Sequence, residues 1–181
     1  MAEFFDVVFT RRSIRVFEEK PVPAEVLEQV FEAARWAPSW ANTQCWEIVS
    51  VTDTAVKEEL QRAVPNGNPS WRTIANAPVV LVICGKKHRA GYYKGAATTK
   101  FDDWMLFDLG IVSQNISLAA HALGLGSVIL GLFDQEAARG AIQLPEEYEL
   151  VALIPMGYPT KEAAAPPRRE VSAFVHENVF H

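Results

Sequence analysis

From Ala24 to Ala37 the apolar residues fall at Val26, Leu27, Val30, Phe31 and Ala34. That spacing lines one face of a helix. Pro23 suits its first turn and Pro38 ends the pattern. A shorter run rich in Phe and Val, residues 3–10, also reads as a helix. "WEIVSV" (46–51) reads as a strand, and Asp53 is placed to cap a helix over 54–64. "PVVLVIC" (78–84) is apolar throughout and β-branched, the pattern of a strand buried on both faces. Residues 102–126 predict a long helix, apolar around nearly its whole circumference and closed by Gly124. It carries Gly110, Ser113, Ser117, Ala119 and Ala120, small residues that let another helix approach.

"SVILGLF" (127–133) predicts a further strand, Asp134 a further helix cap, and residues 149–159 the last core strand. Two stretches lack a period. Residues 64–71 are turn-rich, and residues 85–101 read as a long loop. Beyond Pro159 the chain is too polar and Pro-rich for a compact element until "EVSAFVHENVF". The order of elements predicts an α+β sandwich with about four core strands. The tail is expected to pack elsewhere.

The chain has 181 residues and no internal repeat, so a single domain over 1–181 is expected. Its hydrophobic share of 49% is that of a globular protein. A net charge of −5 argues against broad nucleic-acid binding, while leaving room for a small anion held by a local basic cluster. The two cysteines, Cys45 and Cys84, are too few for a disulfide scaffold or a cysteine-rich zinc site. The four histidines lack metal spacing, so no metal is expected. Glu3 and Asp6 interrupt any secretory leader, and no apolar stretch reaches membrane length. These features predict a cytoplasmic protein that engages neither membrane nor nucleic acid.

Against that acidic background "TRRSIRVF" places Arg11, Arg12 and Arg15 around Ser13. Arginine forms forked, charge-assisted bonds to phosphate, although such a cluster also serves as an ordinary solvated face. Arg168 and Arg169 form a second basic pair. "PSWANTQ" (38–44) brings Ser39, Asn42, Thr43 and Gln44 together. These suit a hydroxyl-rich ligand and suit turn chemistry equally well. "GLGSVILG" fails as a dinucleotide fingerprint. Ile129 stands where the third glycine belongs, and a helix precedes the glycines where a strand should.

Taken in order, "RRSIRVF", "PSWANTQCWE", "APVVLVIC", "QNISLAAHALGLGSVILGLF", "LIPMGYP" and "PPRRE" resemble the nitroreductase family of flavin enzymes over nearly the whole chain. The resemblance implies an α-β-α sandwich around a mainly antiparallel sheet of four core strands, plus a strand exchanged from a partner subunit. It implies bound FMN, NAD(P)H as electron donor, and a homodimer with two interfacial active sites. Arg11 would grip the phosphate, and Arg12 would serve either end of the cofactor. Ser13 and Arg15 would face the pyrimidine edge and the ribityl chain. Ser39 and Asn42 would bond the flavin from the partner subunit, and Pro38, Trp40 and Gln44 would also line the cofactor. Leu130 and Gly131 would lie at the ring, with the Gly131 backbone N–H toward N5. Arg168 and Arg169 match the family's C-terminal phosphate-binding residues.

Residues 85–104 would form a variable lid whose Tyr92, Tyr93, Phe101 and Trp104 either stack on an aromatic substrate or pack the lid. Residues 159–181 would be an arm, with "VSAFV" adding to the partner's sheet. Cys45 stands where family members often have proline, and Leu130 where some have glutamate. The implied activity is ping-pong transfer from NAD(P)H to electron-poor small molecules such as nitroaromatics or quinones. Dehalogenation, enoate reduction and flavin binding without turnover are the alternatives.

Overall fold

The computed structural model describes residues 3–180, so Met1, Ala2 and His181 fall outside the account, including the ends of the expected 1–181 domain. Its elements are α1 (Phe4–Thr10), α2 (Ala24–Arg35), β1 (Trp46–Val51), α3 (Thr54–Ala63), α4 (Trp71–Asn76), β2 (Val79–Lys86), β3 (Tyr92–Tyr93), β4 (Ala96–Ala97), α5 (Met105–Ala122), β5 (Gly126–Ser127), α6 (Gln135–Ala141) and β6 (Tyr148–Gly157). Four strands form one antiparallel sheet in the order β1-β2-β6-β5, and β3 and β4 form a separate hairpin.

β2 sits inside the sheet, and its side chains alternate between two apolar layers. Val79, Leu81 and Ile83 pack with Val30 of α2 and with Val112 and Ile116 of α5. Val80, Val82 and Cys84 pack with Leu60 of α3, Ile74 of α4 and Ala138 of α6. The expected α-β-α sandwich follows directly: a strand apolar on both faces needs helices on both. No helix among the described residues is long and apolar enough to cross a membrane.

Local chemistry explains the boundaries. Asp53 and Asp134 cap α3 and α6, their carboxylates accepting from Val56 N (3.0 Å) and Ala137 N (3.0 Å). Gly124, at φ 80°, ends α5 in a Schellman arrangement, with Leu125 N–H donating to Ala120 O and Gly124 N–H to His121 O. Ser113 and Ser117 are buried inside α5, each hydroxyl satisfied by the carbonyl four residues earlier.

Two expectations are corrected. The long helix begins at Met105 rather than 102, because Asp102 is left-handed and the Asp103 carboxylate accepts from both Met105 N and His88 N. The strand expected over 127–133 pairs only at Gly126–Ser127 and touches β6 again at a single Leu130–Leu153 bridge. The turn-rich stretch is turns as expected, and it leads into α4, a six-residue helix too short to show a period. Within this chain Val171–Ala173 forms a 3-10 turn, and the arm around it is exposed.

Candidate active site

The basic segment leaves α1 and runs extended along the sheet edge. Ser13 pairs in parallel with Ser127, and Ile14 N–H donates to Ser127 O at 2.9 Å. The crossing is close: a Cβ on Gly126 would meet Ile14 at 2.7 Å. Extended geometry alternates the side chains, so Ile14 turns inward while Ser13 and Arg15 face outward together.

Arg15 is tied to a segment the sequence did not single out. Its Nε donates to Ser70 Oγ at 3.1 Å, and its carbonyl accepts from Thr73 Oγ1 at 2.9 Å. Ser70 and Thr73 are buried, and Ser70 N–H donates to Asn68 Oδ1 at 2.8 Å. The Asn-Pro-Ser turn was the available signal, since an Asn side chain bonding two residues on makes an Asx turn. α4 is held in turn by Lys57, a buried lysine whose Nζ donates to Ala77 O at the helix C-terminus (2.9 Å).

The other arginines divide their roles. Arg12 donates to Phe9 O (2.7 Å) and Arg11 O (2.8 Å), capping the C-terminus of α1. Arg11 is half-buried, and its pKa is lowered first by that burial, then by the charges of Arg12 and Arg168. Arg169 turns away, its guanidinium donating to Ala173 O and lying 5.9 Å from the Phe174 ring. Among the described residues none of these five arginines forms an ion pair with a carboxylate. The cluster carries positive charge without a direct ion-pair partner, although Glu162 lines the cavities beside Arg12 and Arg15, and such charge suits a phosphate.

His121 adjoins it. Thr10 Oγ1 donates to Asp6 O, so the 2.8 Å contact to His121 Nε2 is an imidazole N–H donated to the hydroxyl. Burial, then Arg11 and Arg12, lower the His121 pKa. It walls a cavity of about 390 Å³ with Thr10, Arg12, Ile14 and Lys161. Among the described residues there is no cluster of side chains able to hold a metal, and His181 lies outside them.

The segment 38–44 is a separate structure. Trp40–Asn42 make a 3-10 turn in which Ala41 and Asn42 are left-handed (φ 45° and 55°), as is Gln44 (φ 47°). For Ala41 and Gln44 that costs about 1–2 kcal/mol each, whereas Asn tolerates it. Ser39 Oγ accepts from Gln44 N at 2.9 Å, closing the loop. Both oxygens of Asp108 on α5 accept from Trp40 N (3.1 and 3.2 Å). Cys45 Sγ lies 3.8 Å from Asp108 Oδ2. Burial first, then the Asp108 charge, push the Cys45 thiol up to about 12. Pro38, Asn42 and Gln44 line a cavity of about 330 Å³ with Arg35 and Trp36.

The predicted site residues thus fall into two sets. Ser13 and Arg15 line one stretch of the basic segment, and Arg11 feels the charges of Arg12 and Arg168. Pro38, Ser39, Trp40, Asn42 and Gln44 form the other set, with no hydrogen bond between the sets among the described residues. Leu130 is buried and Gly131 is exposed, its N–H without a hydrogen-bond partner among the described residues. In the expected lid, Tyr92 packs on His88 (5.0 Å), and Trp104 sits between Phe101 (5.9 Å) and Phe107 (5.1 Å) against the core. Tyr93 and Phe101 are exposed.

This fold recurs in known proteins. The model of the nitroreductase family matches residues 8–73 and 68–158. An NADH dehydrogenase from Thermus thermophilus is 32% identical over 177 residues, covering 84% of each chain. An FMN reductase [NAD(P)H] from Bacillus subtilis is 29% identical over 196 residues, covering 99% of this chain and 75% of its own. The solved NADPH:FMN oxidoreductase from Vibrio harveyi, complexed with NAD+, superimposes with a TM-score of 0.83 at 27% identity, covering 98% of this chain and 78% of its own. The chain belongs to the nitroreductase family.

Proposed function

We propose that this protein is an FMN-dependent oxidoreductase that passes electrons from NAD(P)H to electron-poor acceptors such as nitroaromatics or quinones. The observation that carries the reading is the basic segment of Arg11, Arg12 and Arg15, which has no carboxylate ion-pair partner among the described residues, with Arg168 adding to the charge felt by Arg11. A phosphate dianion fits that deficit. The unpartnered Gly131 N–H supplies a donor of the kind a ring nitrogen accepts.

On this reading Arg11 and Arg168 hold the phosphate, and Arg12 holds the segment's entry at α1. Ser13 and Arg15 face the ribityl chain and the pyrimidine edge. Arg15, fixed by Ser70, keeps positive charge where negative charge gathers on reduction. Gly131, beside the buried Leu130, orients the reacting edge through its backbone. Bound FMN supplies the redox chemistry, taking hydride from the nicotinamide and returning electrons to the acceptor. Donor and acceptor would alternate at one place, giving ping-pong kinetics.

The chain offers the two halves of the site at different places, which supports a homodimer in which Ser39 and Asn42 approach from the partner subunit. Phe4, Phe5 and Phe9 of α1 and Leu106 and Phe107 of α5 are exposed, a surface expected to be covered by a second copy. The exposed arm, with Val171, Phe174 and Val175 outward, is free to pair with that copy. The named relatives carry FMN, NADH or NADPH in their names and support this chemistry.

The test is the absorption spectrum of the purified protein. It should show a flavin that heat releases as FMN, bleached anaerobically by NADH or NADPH and restored by a quinone or nitroaromatic. Protein that stays colourless after incubation with FMN would overturn the reading.

A further inference from the structure

We propose that Asp108 is a positioning residue for the flavin site: its buried carboxylate holds the 39–44 loop in the shape with which Ser39 and Asn42 reach the cofactor. The inference rests on the functional reading above and assigns a role to a residue that touches neither cofactor nor substrate.

Three observations converge on it. First, Asp108 is 1% exposed in a helix whose other core-facing residues are apolar or small. A carboxylate there loses its hydration, and burial raises its pKa accordingly. Among the described residues it has no ion-pair partner. A hydrophobic residue would serve helix packing better, so the carboxylate's use lies in what it accepts.

Second, what it accepts is the Trp40 N–H, with both oxygens, at 3.1 and 3.2 Å. Trp40 begins the 3-10 turn whose next residues, Ala41 and Asn42, are left-handed, as is Gln44. Asn tolerates this region, but Ala41 and Gln44 do not favour it, so the loop does not hold this shape through their preference. The closing bond, Gln44 N–H to Ser39 Oγ, and the bond from Thr43 N–H to Trp40 O lie within the loop. Asp108 is the anchor from outside, and Cys45 Sγ at 3.8 Å extends it to the loop's exit.

Third, α5 grips the loop's approach from the same face. Asn115 stands seven residues after Asp108, two helical turns on, and its Nδ2 donates to Ala33 O near the end of α2. One helix face therefore fixes both the chain entering the loop and the loop's crest. α5 also presents Leu106 and Phe107 outward on the surface read above as the dimer contact. The clamp thereby sets where Ser39 and Asn42 stand relative to a second copy.

The experiment compares Asp108→Ala and Asp108→Asn with the wild type as dimers, at a temperature well below unfolding. Readouts are the FMN dissociation constant and amide hydrogen exchange across 39–44. Asp108→Ala should weaken FMN binding roughly tenfold or more, the loss of one charge-assisted hydrogen bond. Exchange in the loop should rise while β2 and β6 stay protected. Asp108→Asn keeps an oxygen that accepts from Trp40 and should restore binding to within about threefold of wild type. A merely structural role would lower the melting temperature of both variants and leave the FMN constant of the folded dimer unchanged, which would overturn the proposal. Asn behaving as Ala would also overturn it. Should Asp108→Ala not fold, the Trp40 amide of the wild type decides: fast exchange defeats the clamp, and slow exchange with FMN affinity preserved in Asp108→Asn supports it. Wild-type protein that binds no FMN would overturn the functional reading and this inference together, whereas wild-type affinity in Asp108→Ala would overturn the inference alone.

Discussion

Ser70 Oγ accepts from Arg15 Nε at 3.1 Å across a separation of 55 residues, so the outward-facing cation of the basic segment is aimed by a buried serine at the entry to α4. Arg15→Ala should weaken FMN binding roughly ten- to a hundredfold, as expected of a charge-assisted hydrogen bond of about 1.5–3 kcal/mol. It should also lower the flavin potential. Ser70→Ala should act in the same direction and more weakly, since it removes the aim and leaves the charge. Equilibrium titration of apoprotein with FMN measures both, and equal affinity in Arg15→Ala and wild type would place Arg15 outside the site.

His121 gives the protein a pH dependence with a definite sign. Its folded pKa is depressed by burial and by Arg11 and Arg12, so between that value and the ordinary imidazole pKa of about 6.5 the unfolded chain binds more protons. Stability should rise with pH through this window, be fully present above it, and be lost as pH falls. His121→Asn should flatten the dependence. Urea midpoints of the flavin-free protein at about pH 5.5 and 7.5 provide the check, and an unchanged slope in the variant would refute the assignment.

Both cysteines should be unreactive in the native protein. Burial holds the thiols of Cys45 and Cys84 up at about 12, leaving almost no thiolate at neutral pH. Mass spectrometry after iodoacetamide should find neither modified without denaturant and both modified in urea. Rapid native alkylation of Cys45 would mean that the 39–44 loop opens.

Phe9→Asp with Phe107→Asp places two charges on the exposed apolar surface of α1 and α5. If that surface is the dimer contact, sedimentation should show monomer, and FMN should be lost with the partner. Flavin-loaded monomers would argue that one chain builds the whole site.

Steady-state turnover should give parallel double-reciprocal lines for NAD(P)H and acceptor, as a shared site requires. Intersecting lines would require a second binding place for the acceptor.

Much of the fold could be read locally. α2, β1, β2 and β6 carry their own apolar periods, and Asp53 and Asp134 announce the helices they cap. What could not be read depends on distant partners. β5 is two residues long, with Ser127 paired to both Ser13 and Met156 of β6, an arrangement no property of "SVILGLF" reveals. The basic residues of the site were visible as a charge anomaly. Their supports were not: Ser70 and Thr73 look like ordinary turn and helix residues. Asp108 looks like one polar residue at the start of an apolar helix, and its partner Trp40 lies 68 positions away.

The separation of the basic segment from the 39–44 loop within one chain has a consequence for concentration. If each flavin is held by two chains, the holoprotein is a mass-action product of chain, chain and cofactor. Dilution would then shed cofactor and partner together, and free FMN would tighten the dimer by the same factor that dimerisation tightens FMN. The colour of the solution would report how many chains have found one another.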